Sequence, residues 1–186
     1  MTVLVALILG ASRVSAAPPA QLPADIDIPY AGSGTLALGG AELTLQGRTI
    51  LRPDGAVLTE KLYTAPVADG AHLCAADEGA DGLGRLRCWN TSLQPVTLQI
   101  GGRPGRLAIG PGWLAWVASP AGLPQVFVAP ANASAPPRAL TNVGLDYTPG
   151  RAPEGFVPPP LRSSLRFDGD FLRWDTAEGP RSVRWR

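Results

Sequence analysis

The sequence predicts an all-β protein of the antiparallel repeat type, built like a small β-propeller, with a β-sandwich as the alternative. Three observations predict it. The 186 residues include 22 glycines and 20 prolines. Proline at that density breaks helices, because it removes an N–H and clashes with the preceding turn. Short apolar runs are separated throughout by Gly, Pro, Asp and Ser clusters, and after residue 17 no 3.6-residue periodicity lasts as long as a helix needs. Finally, a ten-residue pattern recurs without a gap in "LALGGAELTL" (36–45), "LAIGPGWLAW" (107–116) and "LRFDGDFLRW" (165–174).

The elements follow in chain order. "VLVALILGA" (3–11) is a short apolar run, and Val14 and Ala16 then fit the small-residue pattern before a signal-peptidase cut. Residues 1–16 therefore read as a signal peptide and 17–186 as a single β domain. The run is too short for a transmembrane span. "DIDIPY" (25–30) alternates Ile26 and Ile28 with aspartates and reads as an outer strand able to close a ring. Strands follow at "TLAL" (35–38), "ELTLQ" (42–46), "RTILR" (48–52), "GRLRCW" (84–89), "VTLQI" (96–100), "WLAWVA" (113–118) and "QVFVA" (125–129). "SLRF" (164–167), "FLRW" (171–174) and "SVRW" (182–185) complete the series.

Each copy of the repeat reads as strand, tight Gly or Asp turn, strand, and a hairpin then leads to a third strand. A looser copy runs through "VADGAHLCA" (67–75). Units of about 40 residues with four strands are propeller blades, and the chain after residue 16 holds about four. The spacing leaves a surplus at 143–162, a Pro- and Gly-rich loop carrying Tyr147 and Phe156. That loop is either a docking arm presenting the two aromatics or a tolerated insertion.

One stretch is more specific. In "GPGWLAWVASPAGLPQVFVAPANASAPPRALTN" (110–142) a Pro-Gly turn, an apolar strand, a small-residue hairpin, an aliphatic–aromatic strand and a polar turn lead to "RALTN". This unit resembles a blade of the TolB-like β-propeller family, and the other units share its pattern. The resemblance implies a fold; blade likeness does not carry a function.

The chemistry is sparse. A net charge of +1 gives no global attraction to nucleic acid. Cys74 and Cys88 lie equidistant from a turn near Asp81-Gly82, which sets them opposite each other on paired strands. In an exported protein such a pair reads as a disulfide. The competing reading adds His72, on the same strand face as Cys74, and makes His72, Cys74 and Cys88 a site for copper. Blue-copper and copper-zinc dismutase centres need more histidines than the one present. Any Ser-His-Asp triad would likewise have to be built on His72. The carboxylates, Asp69, Asp77 and Glu78 among them, read as turn residues.

The C-terminal third is basic, with Arg162, Arg166, Arg173, Arg181, Arg184 and Arg186 interleaved with Phe171, Trp174 and Trp185. Arginines beside aromatics suit anionic or sugar-containing partners, so Arg173, Arg184 and Arg186 join Tyr147 and Phe156 as candidate partner-binding residues. Trp113, Trp116 and Trp174 sit at repeat positions and read as core. Together these features predict a non-catalytic binding or accessory protein of the periplasm, outer cell envelope or extracellular space, with an envelope protein or anionic polysaccharide as partner. A secreted copper protein for superoxide removal or copper transfer is the alternative.

Overall fold

The computed structural model describes residues 30–80, 84–98, 104–118, 125–141, 164–176 and 179–186. These residues form fifteen strands in four separate antiparallel sheets, and each sheet is a meander whose strands pair in sequence order. The first sheet holds β1 (Gly32–Leu38), β2 (Ala41–Gly47), β3 (Thr49–Leu51) and β4 (Val57–Thr59). The second holds β5 (Val67–Ala68), β6 (His72–Glu78), β7 (Gly84–Asn90) and β8 (Pro95–Leu98). The third holds β9 (Leu107–Gly110), β10 (Trp113–Ala118), β11 (Gln125–Pro130) and β12 (Arg138–Ala139). In the fourth, β13 (Arg166–Asp168), β14 (Phe171–Thr176) and β15 (Gly179–Arg184) make three strands.

The sheets stack as the blades of a β-propeller-like array. The first strands of neighbours lie side by side, β1 by β5, β5 by β9, and β9 by β13. Two-sheet packing, the sandwich alternative, would require these strands to merge into two larger sheets, and the breaks between sheets exclude it. Three apolar clusters fill the three seams. Leu43 and Ile50 of the first sheet meet Leu73 and Trp89 of the second. Cys74 and Leu86 of the second meet Leu114 and Trp116 of the third. Val117 and Val128 of the third meet Leu172 and Trp174 of the fourth.

The repeat marks the core. The gapless alignment superposes Leu43, Leu114 and Leu172, all fully buried, and then Leu45, Trp116 and Trp174, all nearly so. In the looser copy Leu73 and Ala75 hold the same two places. The turns, however, do not superpose. In the first sheet the hairpin turns on Gly39-Gly40, both at positive φ, whereas in the third it turns on Pro111-Gly112, one place later in the alignment. The hydrophobic face was kept and the turn slipped, because a one-residue slip of a strand would have exposed its core side chains. Trp113 is partly buried and packs at a tilt of 60° against Trp185, ring centroids 5.4 Å apart, so all three repeat tryptophans serve packing.

Burial also distinguishes ends from middle. β6 and β10 are buried on both faces, while β2 and β14 alternate buried with exposed or half-buried residues. A sheet between two others needs apolar side chains on both faces; a sheet with one neighbour needs them on one. Among the described residues no apolar cluster joins the fourth sheet to the first. The ring-closing strand expected at 25–30 lies outside the described residues except for Tyr30, as does the loop at 143–162.

Polar links reinforce the seams. Gly39 N–H donates to the Gly70 carbonyl at 2.8 Å, and Gly112 N–H donates to Asp69 Oδ2 at 3.1 Å. Arg138 donates to the Trp185 carbonyl at 2.7 Å. Gly110 is fixed by close approach, since a Cβ there would lie 2.9 Å from the Phe167 ring. Asp77 is the largest correction to the turn assignments: it lies inside β6, fully buried, between the first and second sheets.

Candidate functional site

Two places gather chemistry-bearing side chains. The first surrounds the disulfide. Cys74 on β6 faces Cys88 on β7 with Cα atoms 4.1 Å apart, and the sulfurs are bonded. Bonded sulfurs carry no thiolate, so the donor set His72, Cys74 and Cys88 exists only after reduction. Among the described residues no group of three or more His, Cys, Asp or Glu side chains comes together to hold a metal. His72 begins β6 and borders a groove of about 460 Å³ with Asn90, Gln94, Val96 and Asn132. The amides there are occupied by turns. Asn90 Oδ1 accepts from the Ser92 and Gln94 N–H groups, and Asn132 Oδ1 accepts from Ser134 N–H.

Asp69 organises the turn below this groove. Its carboxylate accepts the N–H groups of Ala71 at 3.0 Å, His72 at 2.7 Å and, across the seam, Gly112 at 3.1 Å. Burial alone would raise its pKa, but the amide bonds and the neighbouring His72, Nδ1 at 3.6 Å, outweigh burial and hold it below the ordinary 3.8. A lowered folded pKa means that the stabilisation is complete above 3.8 and is lost as pH falls through the lower value. Asp69→Asn should therefore flatten the acid limb of a stability-versus-pH series measured by chemical denaturation. An unchanged limb would show that the carboxylate is not a seam fastener.

The second place is the open face of the fourth sheet. Register builds it: Asp168, Phe171 and Arg184 form one row across the three strands, and Arg166, Arg173 and Ser182 the next. The opposite face carries Phe167, Leu172 and Val183 and packs on the third sheet. Phe171 is 44% exposed, one of two large apolar side chains so placed among the described residues. Arg173 pairs with Asp168 at 2.7 Å and Arg184 with Asp170 at 3.3 Å, all four about half exposed or more.

Arg166 stands directly opposite Arg173. Like charges at facing positions destabilise a sheet, and the Asp168 carboxylate bonded to Arg173 works against that. Arg186 lies past β15 with its guanidinium 4.3 Å over the Trp185 ring. The structure thus brings Arg173 and Arg184 together on one face and sets Arg186 beside them in sequence. Tyr147 and Phe156 lie outside the described residues. Sequence reasoning left Arg166 out of the binding set; the signal was available only from the register that puts it against Arg173.

No protein-family model matches the chain, and no curated protein matches it in sequence. Among solved structures the chain is similar to one from a nidogen–laminin complex, at 16% identity over 80% of this chain and 57% of that one, with a TM-score of 0.48. It is also similar to a TolB described as putative from Agrobacterium tumefaciens, at 13% identity, 77% and 60% coverage and a TM-score of 0.43. For TolB from Acinetobacter baumannii the values are 12%, 79% and 53%, and 0.39. The chain spans between about half and three-fifths of those proteins.

Proposed function

We propose that this protein is a non-catalytic binding module of the cell envelope that presents the arginine face of its fourth sheet to an anionic partner, an envelope protein or an anionic polysaccharide. The observation that carries the reading is the register that sets Arg166 opposite Arg173, two exposed arginines at facing positions, next to exposed Phe171 and Arg184. An anion bridging the two guanidiniums would convert that repulsion into attraction. Phe171 supplies an apolar platform within the same patch.

The interior supports binding over catalysis. Its buried Asp77 is tied into an ion-pair network, Asp69 into turn bonds, and the cysteines into a disulfide. That disulfide suits an oxidising compartment, in keeping with the exported mature chain proposed to start at residue 17. No helix of the described residues is long and apolar enough to cross a membrane.

The test is direct. Poly-glutamate and polygalacturonate should each be titrated onto the wild type and onto the Arg166→Gln/Arg173→Gln/Arg184→Gln protein. At least one polyanion is expected to bind the wild type, to weaken with added salt, and to bind the variant about tenfold less or worse. Thermal stability should barely change, because all three arginines are exposed. Equal binding to both proteins would move the site elsewhere.

A further inference from the structure

We propose that the groove between the second and third sheets is a binding site for a small organic carboxylate with a short apolar tail. The site is separate from the arginine face, which lies on the fourth sheet. The groove, of about 460 Å³, opens on the side of the array that carries the turns joining first to second and third to fourth strands. All of those turns lie within the described residues.

One motif builds both rims. Asn90-Thr91-Ser92 turns β7 into β8, and Asn132-Ala133-Ser134 turns β11 toward β12, the same place in neighbouring sheets. In each, the asparagine Oδ1 accepts the serine N–H at 3.0 Å. Asn90 Oδ1 also accepts from Gln94 N–H at 3.0 Å, and Asn90 Nδ2 donates to Gln94 Oε1 at 3.2 Å. Backbone donors identify each asparagine oxygen, and the bond from Asn90 then orients Gln94.

This bonding sorts the amides. Their carbonyl ends are drawn into the turns and their amino ends are left over. One N–H of Asn90, and both of Gln94 and of Asn132, have no partner among the described residues. All three side chains are exposed and line the groove, Asn90 and Gln94 from one sheet and Asn132 from the next. Leftover donors on two sides suit a ligand group made of acceptors, and an ionised carboxylate offers two oxygens with about four lone-pair sites. Bonds to an ionised acceptor are about twice as strong as neutral ones. Pro95, Val96 and Ala131 supply apolar surface for the tail. No carboxylate lines the groove among the described residues. Asp69 lies beyond His72, engaged by the N–H groups of Ala71, His72 and Gly112.

The experiment titrates the full chain with three probes, an isopentyl group bearing a carboxylate, a carboxamide or an ammonium. NMR follows the side-chain amide resonances of Asn90, Gln94 and Asn132. The carboxylate is expected to shift them saturably and the ammonium to leave them in place. Asn132→Asp with Gln94→Glu keeps every oxygen the turns use and replaces the leftover donors with carboxylate oxygens. Its melting temperature should hold, since Asp serves such turns as Asn does, while affinity for the carboxylate falls about tenfold or more. Arg166→Gln/Arg173→Gln/Arg184→Gln should bind the carboxylate like the wild type, which separates this site from the arginine face. The proposal is overturned if the carboxamide or the ammonium binds as well as the carboxylate, or if the Asp/Glu variant binds it undiminished. It is equally overturned if the arginine variant abolishes binding, which would assign the carboxylate to the fourth sheet. Failure of every probe to move the groove resonances also refutes it, and leaves polyanion binding at the arginine face to its own test.

Discussion

Replacing Asp77 with alanine is expected to cost about 3–5 kcal/mol of folding free energy, the range for removing one partner of a buried ion pair. Asp77 is fully buried on β6. It accepts from Arg85 Nε at 3.1 Å, from Arg87, and from the Thr59 hydroxyl at 2.5 Å. Arg87 also donates to Thr59 at 2.7 Å and lies over Trp89 at 5.0 Å, and its side chain is only 20% exposed. Without the carboxylate, that guanidinium stays desolvated with no counter-charge. Asp77→Asn keeps the volume and removes only the charge, so it should fall between the wild type and Asp77→Ala. Urea denaturation measures all three. A loss below about 1 kcal/mol for alanine would place this network among weakly contributing surface pairs.

Reducing the Cys74–Cys88 bond is expected to cost about 3 kcal/mol, or a fall in melting temperature of about 6–12 °C. The bond closes a 14-residue separation, so its main effect is on the freedom of the unfolded chain. Both sulfurs belong to the apolar cluster between the second and third sheets. A double alanine variant would add a cavity loss to the cross-link loss. The cleaner measurement compares wild-type denaturation with and without dithiothreitol. Unchanged stability under reductant would mean that the pair is redundant in the folded chain.

Much of this architecture was legible from residue pattern. Leu43, Leu114 and Leu172 were aligned by composition and order alone, and all three are buried. The Cys74–Cys88 pairing followed from symmetry about a turn, since register in a hairpin is fixed by its loop. The contrast of "ELTLQ" and "FLRWDT" with "HLCAADE" and "WLAWVA" already encodes end sheets against middle sheets. What was not legible depended on contacts distant in sequence. Asp77 looked like a turn residue because "ADEGADG" has turn composition; its burial is decided by Thr59, eighteen residues away, and by Arg87. Strands β4 and β12 are three and two residues long, too short to show a period. Arg166 became a candidate only when pairing set it against Arg173.

The stacking order has a mechanical consequence. Each middle sheet is clamped on two sides, but the fourth sheet is held by one apolar seam among the described residues. In a linear array, stability is a sum over neighbouring interfaces, so terminal units open first and at lowest cost. The sheet that carries the arginine face shares with the first sheet the condition of a single apolar seam among the described residues. A partner that spans from it to the third sheet would supply the second clamp, and its binding would register as stiffening of the whole array.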